Sequence, residues 1–300
     1  MIQTIQMLTK KGLASPPNWL CDNVIYATIV GSFAYGVSSE TAETDIYGVC
    51  VEPRRNVFPF STGEHVYGLG KLPERFEQYI QHHIFDKDDL GGKGRTYDYT
   101  IFGLVKAFDL WSTGNPNCLE MLFTSNECIV QSTQLAKLIR DRREMFLTKQ
   151  CYQKFIGYLS SQIHKAKVKQ PNGKRAELVA AHSYDTKFVA NSVRLAYECE
   201  TILNERTIDL RRFSDHVKAI RKGQVPLDDV MKWLDEKEKC LIRAHQESKI
   251  PQCVDMQEIT TFLLQCLETH YGSIDKMVDR STIEKQALSE IWGVLQKYKI

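Results

Sequence analysis

The run Glu43-Thr44-Asp45 places two carboxylates one residue apart. On a strand, side chains at that spacing share a face and lie roughly 6–7 Å apart along the backbone. Two acids so placed can converge on divalent cations. A pair of Mg²⁺ ions about 3.5–4 Å apart can hold a nucleoside triphosphate and activate an attacking oxygen, and carboxylates supply the hard ligands such ions need. Without a cation the two charges repel. Twelve positions upstream, Gly31-Ser32 closes an apolar run. Glycine permits positive φ or close backbone approach there, and Ser32 offers a hydroxyl and an amide to an anion above the turn. Acid-x-acid by itself equally describes two acids on a solvated face. The ordered combination of strand, Gly-Ser turn, interval and second apolar strand is what points to a site.

Short β-branched and aromatic runs must hold these residues. Asn23 to Val30 reads as a buried strand ending at Gly31-Ser32, and Asp45 to Val51 as a second strand closed by Glu52-Pro53. Phe76 to Phe85 is a third candidate and Thr96 to Ile101 a fourth, separated by the charged, glycine-rich interval Asp86 to Arg95, which reads as a hairpin or solvated loop. His82-His83 lies on the third strand, where alternation points neighbours to opposite faces and so rules the two out as a metal pair. From Phe102 onward the period turns helical, with segments expected at Phe102 to Trp111, Ser132 to Arg143, Gln150 to Val168, Gly173 to Leu203, Pro226 to Gln246, Met256 to Thr269 and Ser281 to Tyr298. A catalytic unit at 1–125 followed by a helical unit at 126–300 is the organisation this predicts.

Composition narrows the remaining classes. With 43% hydrophobic and 25% charged residues over 300 positions, the chain is globular rather than fibrous or disordered. A net charge of +2 does not advertise nucleic-acid binding by overall field. The nine cysteines are scattered, odd in number and without a Cys-x-x-Cys pair, which predicts reduced, mostly buried thiols. No apolar run approaches the roughly 18 residues that span a bilayer, and Met1 to Lys10 lacks the pattern of a secretory signal, so a cytoplasmic protein with no membrane partner is expected.

Gly31 to Val49 resembles the signature of the DNA polymerase beta nucleotidyltransferase superfamily: Gly-Ser, a variable interval, then acid-x-acid on a strand. The GSFAYG start, the DIYGV continuation, and the YDYT, GNPN and YDTK segments further resemble the RNA-ligase-associated family, often carried by bacteriophages. This resemblance implies an α+β fold, a mixed nucleotidyltransferase sheet with flanking helices followed by a mostly α-helical part. It implies Glu43 and Asp45 as metal-binding acids, with glutamate standing where the family usually has aspartate. The third acid lies on a later strand, and Asp98 is the candidate, its alternative being an N-cap for a helix near Thr100. Asp86, Asp88 and Asp89 are rivals whose glycine-rich flank reads as a solvated loop. The GSFAYG match makes Gly31, Ser32, Tyr35 and Gly36 nucleotide-binding candidates.

In the helical half, Ser183, Lys187, Asn191 and Arg194 recur at helical spacing on one face, next to the YDTK match. Lys187 and Arg194 would suit triphosphate oxygens, the alternative being a solvated face. Where the family continues with histidine, this chain has Phe188. From Lys137 to Arg175 the sequence is strongly basic, with Asp141 and Glu144 the only acids between them. Such a stretch can neutralise phosphates. The resulting expectation is a metal-dependent transferase, using Mg²⁺ with Mn²⁺ as an alternative. It moves NMP from an NTP to a hydroxyl, with an RNA end favoured, in the host cytoplasm if phage-encoded. Adenylylation of a protein or small molecule, and a degenerate nucleotide- or RNA-binding module, are the competing readings.

Overall fold

The computed structural model describes residues 4–38, 43–57, 75–168, 173–272, 290–293 and 295. Five strands, β1 (Val24–Ile29), β2 (Thr44–Cys50), β3 (Gln78–Asp86), β4 (Arg95–Gly103) and β5 (Ile129–Ser132), form one sheet in the order β3-β4-β2-β1-β5. β1 is the sequence Val-Ile-Tyr-Ala-Thr-Ile, rich in the β-branched and aromatic side chains that fit a pleated surface. It is buried nearly throughout, as a strand covered on both faces must be. β2 and β4 run parallel, whereas the other three pairings are antiparallel, so the sheet is mixed. The parallel pair sets Asp45 directly beside Asp98.

Each face of the sheet has its own core. On one, Ile46, Tyr99, Ile101 and Ile84 pack against Ile5, Leu8 and Leu20 from the N-terminal segment. On the other, Ile25, Val49 and Phe102 join the helical body, including Phe108, Trp111, Phe146, Phe155 and Phe262. Those five aromatics are all fully buried, and each such burial contributes roughly 1.5–3 kcal/mol. This second core runs without a break from β1 into the last described helix, Met256–Tyr271. β5, beyond residue 125, pairs with β1 and extends the sheet, although its two β-branched residues, Ile129 and Val130, are too short a run to announce a strand.

The helices Leu104–Ser112, Gln134–Asp141, Gln150–Val168, Leu227–Glu247 and Met256–Tyr271 follow the helical pattern of the sequence to within a few residues. The expected helix from Gly173 to Leu203 is two helices, Lys174–His182 and Thr186–Glu205. Ser183 adopts φ 68° and ends the first, and Asp185 caps the second, accepting the N–H groups of Lys187 and Phe188 at 3.0 and 3.1 Å. The GNPN segment both ends one helix and starts another, because Asn115 caps Pro116–Phe123 through the Cys118 N–H. Most of the expected helix at Ser281 to Tyr298 lies outside the described residues. All nine cysteines are free thiols.

Candidate active site

β1 ends in a single helical turn, Gly31–Ala34, closed by Tyr35 N–H to Gly31 O at 3.1 Å and Val37 N–H to Ser32 O at 2.8 Å. Gly31 has φ +66°, and a Cβ there would stand 3.3 Å from the Asp45 Cγ and within the van der Waals envelope of Oδ2. The turn therefore needs glycine twice over, for its backbone conformation and for the carboxylate resting against it. This contact joins the Gly-Ser turn to the acid pair in space as the sequence joins them in order. Ser32 stands partly exposed on the same turn.

Asp45 is half-buried on β2, and Asp98 on β4 is its register partner. Asp98 lies inside the strand, not at a helix start, which removes the capping alternative. Burial is the largest influence on the Asp45 carboxyl and pushes its pKa up to about 6. The Asp98 and Glu43 charges push the same way, while Lys187 and His82 pull it down. Glu43 is exposed just before β2. One ligand atom each from Glu43, Asp98 and His83 lie within 4.8 Å of one another. Asp45 stands outside that group, and the repulsion of its carboxylate by Asp98 and Glu43 is what a divalent cation would relieve.

His83 was not legible as part of this group. Strand alternation fails at the pair because β3 carries a bulge: Gln81 pairs with Tyr99 and Ile84 with Tyr97, so His82 and His83 together oppose Asp98. His83 takes φ 58°, its N–H donates to Asp98 Oδ1 at 2.6 Å, and His82 Nδ1 lies 3.1 Å from Asp98 Oδ2. Both residues meet the same carboxylate. Paired histidines opposite a strand aspartate are the signal that a search assuming regular alternation discards.

The remaining candidates divide. Lys187, at the start of Thr186–Glu205, is exposed and its charge reaches Asp45. Arg194 lies two turns further along and is only 6% exposed. Its Nη1 pairs with Glu120 at 2.5 Å and Glu198 at 2.7 Å, and its guanidinium stacks 4.1 Å from the Tyr35 ring centre. Tyr35 donates its hydroxyl to Glu120. Tyr35 and Arg194 thus bind each other beneath the glycine turn, and Gly36 packs near Ser214 and Arg211. Ser183 leaves the stripe because the chain breaks there, whereas Lys187 and Arg194 share a face of one helix on which Lys187 is exposed and Arg194 is packed inward.

Asp86 corrects another expectation. Instead of sitting in a solvated loop it is fully buried at the end of β3, held by Lys11 Nζ at 2.6 and 2.8 Å. Part of the basic stretch is likewise absorbed by the fold. Arg140 donates to the carbonyls of Leu122 and Thr124, and Arg175 pairs with Asp185 at 3.0 Å. Lys137, Lys154, Lys165 and Lys167 remain exposed. Among the described residues, no helix is long and apolar enough to cross a membrane.

The chain is similar to several known proteins. A family model described as the RNA repair pathway DNA polymerase beta family matches residues 10–290. An uncharacterized 38.9 kDa protein from the nrdC-mobD intergenic region of Enterobacteria phage T4 is 28% identical over 141 residues, 46% of this chain. The match spans 37% of that protein's own length. A crystal structure of a nucleotidyltransferase-like protein from Exiguobacterium sibiricum 255-15 aligns at 7% identity and a TM-score of 0.28, covering 100% of this chain and 92% of that one.

Proposed function

Since the chain belongs to the RNA repair pathway DNA polymerase beta family and is a nucleotidyltransferase of that type, we propose that it transfers NMP from an NTP to the hydroxyl of an RNA end. Pyrophosphate is the second product. The observation that carries this reading is the register pairing of Asp45 with Asp98, with Asp45 lying against the Gly31 turn. Acids on two parallel neighbours sit at one end of the sheet, where a triphosphate above the turn would present its phosphates.

Glu43, Asp45 and Asp98 would hold Mg²⁺, or Mn²⁺ in its place. Such an ion supplies charge neutralisation on the phosphates and lowers the pKa of the attacking hydroxyl. Gly31 and Ser32 orient the triphosphate through the turn. Lys187, placed by the Asp185 cap, offers a mobile cation to phosphate oxygens from the helical side. The bond formed is between the acceptor oxygen and the α-phosphorus, and the bond broken is the α–β phosphoanhydride. Catalysis rests on positioning and charge, without a covalent protein intermediate. Tyr35 and Arg194 act by positioning, since they lock the segment after the glycine turn onto the helical body.

In this reading the sheet carries the chemistry, and the helical part completes the cleft for nucleotide and acceptor. The exposed lysines between 137 and 167 supply a phosphate-facing surface, and the family's RNA repair description favours RNA over protein or small-molecule acceptors. The phage relative supports action in a host cytoplasm. Glu43→Ala and Asp45→Ala should each abolish transfer from α-labelled NTP to RNA, in an assay that separates RNA from protein before counting. Transfer retained in both variants, or label found only in protein, overturns the assignment.

A further inference from the structure

Two residues on β3 oppose one residue on β4, and the two are both histidines while the one is the candidate third acid. The extra residue opens the ladder, and the left-handed His83 lets its own N–H reach Asp98 Oδ1 while keeping its ring beside the same carboxylate, Nδ1 to Oδ1 at 3.9 Å. His82 approaches the other oxygen, Nδ1 to Oδ2 at 3.1 Å. The two imidazoles stand 6.3 Å apart, tilted by 54°, so they occupy different sides of Asp98 and do not stack. Asp98 is 13% exposed at its side chain, whereas His83 is 78% exposed and keeps a ring nitrogen near the Glu43 carboxylate.

Those positions give the two histidines different work. A carboxylate held at one oxygen by a backbone N–H and at the other by an imidazole is fixed in orientation, the role outer partners play around metal sites. His82 fits that description. His83 contributes a ring nitrogen within 4.8 Å of ligand oxygens of both Glu43 and Asp98, which is ligand spacing. Mg²⁺ takes oxygen ligands almost exclusively, whereas first-row transition ions accept imidazole readily.

We propose that the β3 bulge builds a mixed imidazole–carboxylate metal corner, in which His83 is a ligand beside Glu43 and Asp98, His82 positions Asp98, and the site favours Mn²⁺ over Mg²⁺. This rests on the metal-dependent reading above and adds to it a nitrogen ligand and an ion preference. An elongated Glu43 in place of the shorter aspartate suits the same corner, because the extra methylene extends its oxygen toward the edge of the sheet where His83 sits.

The test uses the full chain with Mn²⁺ alone and no nucleotide. Electron spin-echo envelope modulation of bound Mn²⁺ reads directly coordinated imidazole as a ¹⁴N signal. The wild type should show that signal. His83→Asn, which keeps a side chain tolerant of the left-handed backbone, should lose it. The same change should weaken Mn²⁺ binding about tenfold while moving Mg²⁺ binding, read by competition, much less. His82→Gln should keep the ¹⁴N signal and bind Mn²⁺ more weakly. Bound Mn²⁺ without ¹⁴N modulation in the wild type, or modulation that survives His83→Asn, overturns the inference and leaves the metal-dependent reading standing. Failure of the wild type to bind either ion overturns both.

Discussion

Gly31→Ala separates two costs that are usually confounded. Alanine at φ +66° pays the left-handed penalty of about 1–2 kcal/mol. It also drives Cβ into Asp45, whose Oδ2 must withdraw by about 1 Å to regain ordinary van der Waals separation. Gly91 provides the matched control: φ is +67°, nearly the same, but nothing lies within 4 Å of where its Cβ would be. Both variants should therefore unfold a few degrees earlier by differential scanning calorimetry. Only Gly31→Ala should lose nucleotidyl transfer, by about a hundredfold, because a displacement of that size at a reacting centre costs on that order. Initial rates with saturating α-labelled NTP and RNA, measured on both variants well below their melting temperatures, decide it. Near-wild-type transfer by Gly31→Ala would refute the idea that the glycine exists to seat Asp45. Equal losses in both variants would trace the effect to backbone strain alone.

Arg194→Met leaves Glu120 and Glu198 buried without their shared cation, and should cost about 3–5 kcal/mol in urea unfolding. Neutralising both acids in the same background should restore much of it, and a loss under about 1 kcal/mol from Arg194→Met alone would sink the account. Asp45 has a pKa raised from the usual carboxylate range to about 6, so the folded state binds more protons than the unfolded state between about pH 4 and 6. Its contribution to the metal-free protein therefore worsens as pH rises through that window, and a divalent ion should give a larger thermal shift at pH 7 than at pH 5. Asp45→Asn should shrink that difference, leaving the part set by proton competition at the imidazole ligand, and an equal shift at both pH values in the wild type would contradict it.

The central strands and the Gly31, Asp45 and Asp98 corner were legible because each is written locally, in a β-branched run, a glycine and an acid at strand spacing. What escaped depended on partners distant in sequence. β5 has only Ile129 and Val130 to suggest a strand and is completed by the ladder that β1 offers it. Asp86 looks like a loop acid until Lys11, 75 residues away, is seen to bury it. Arg194 belongs to a polar-looking stripe, yet Glu120 across the core turns it into an interior ion pair. The alternation expected at the histidine pair failed for a narrower reason: period-two alternation is the premise of strand reading, and a bulge is its local failure.

Among the described residues, β3 is the outermost strand on its side and β4 its only neighbour in the sheet. An inserted residue there disturbs one ladder instead of two, and the Asp45–Asp98 pairing at the centre keeps its register. The margin of the sheet can therefore accept insertions and substitutions that the middle cannot, while still reaching Asp98. If His83 is the ligand proposed above, relatives should differ most in ion preference where this strand differs, and a lineage could change its metal one edge residue at a time while the central strands stay folded.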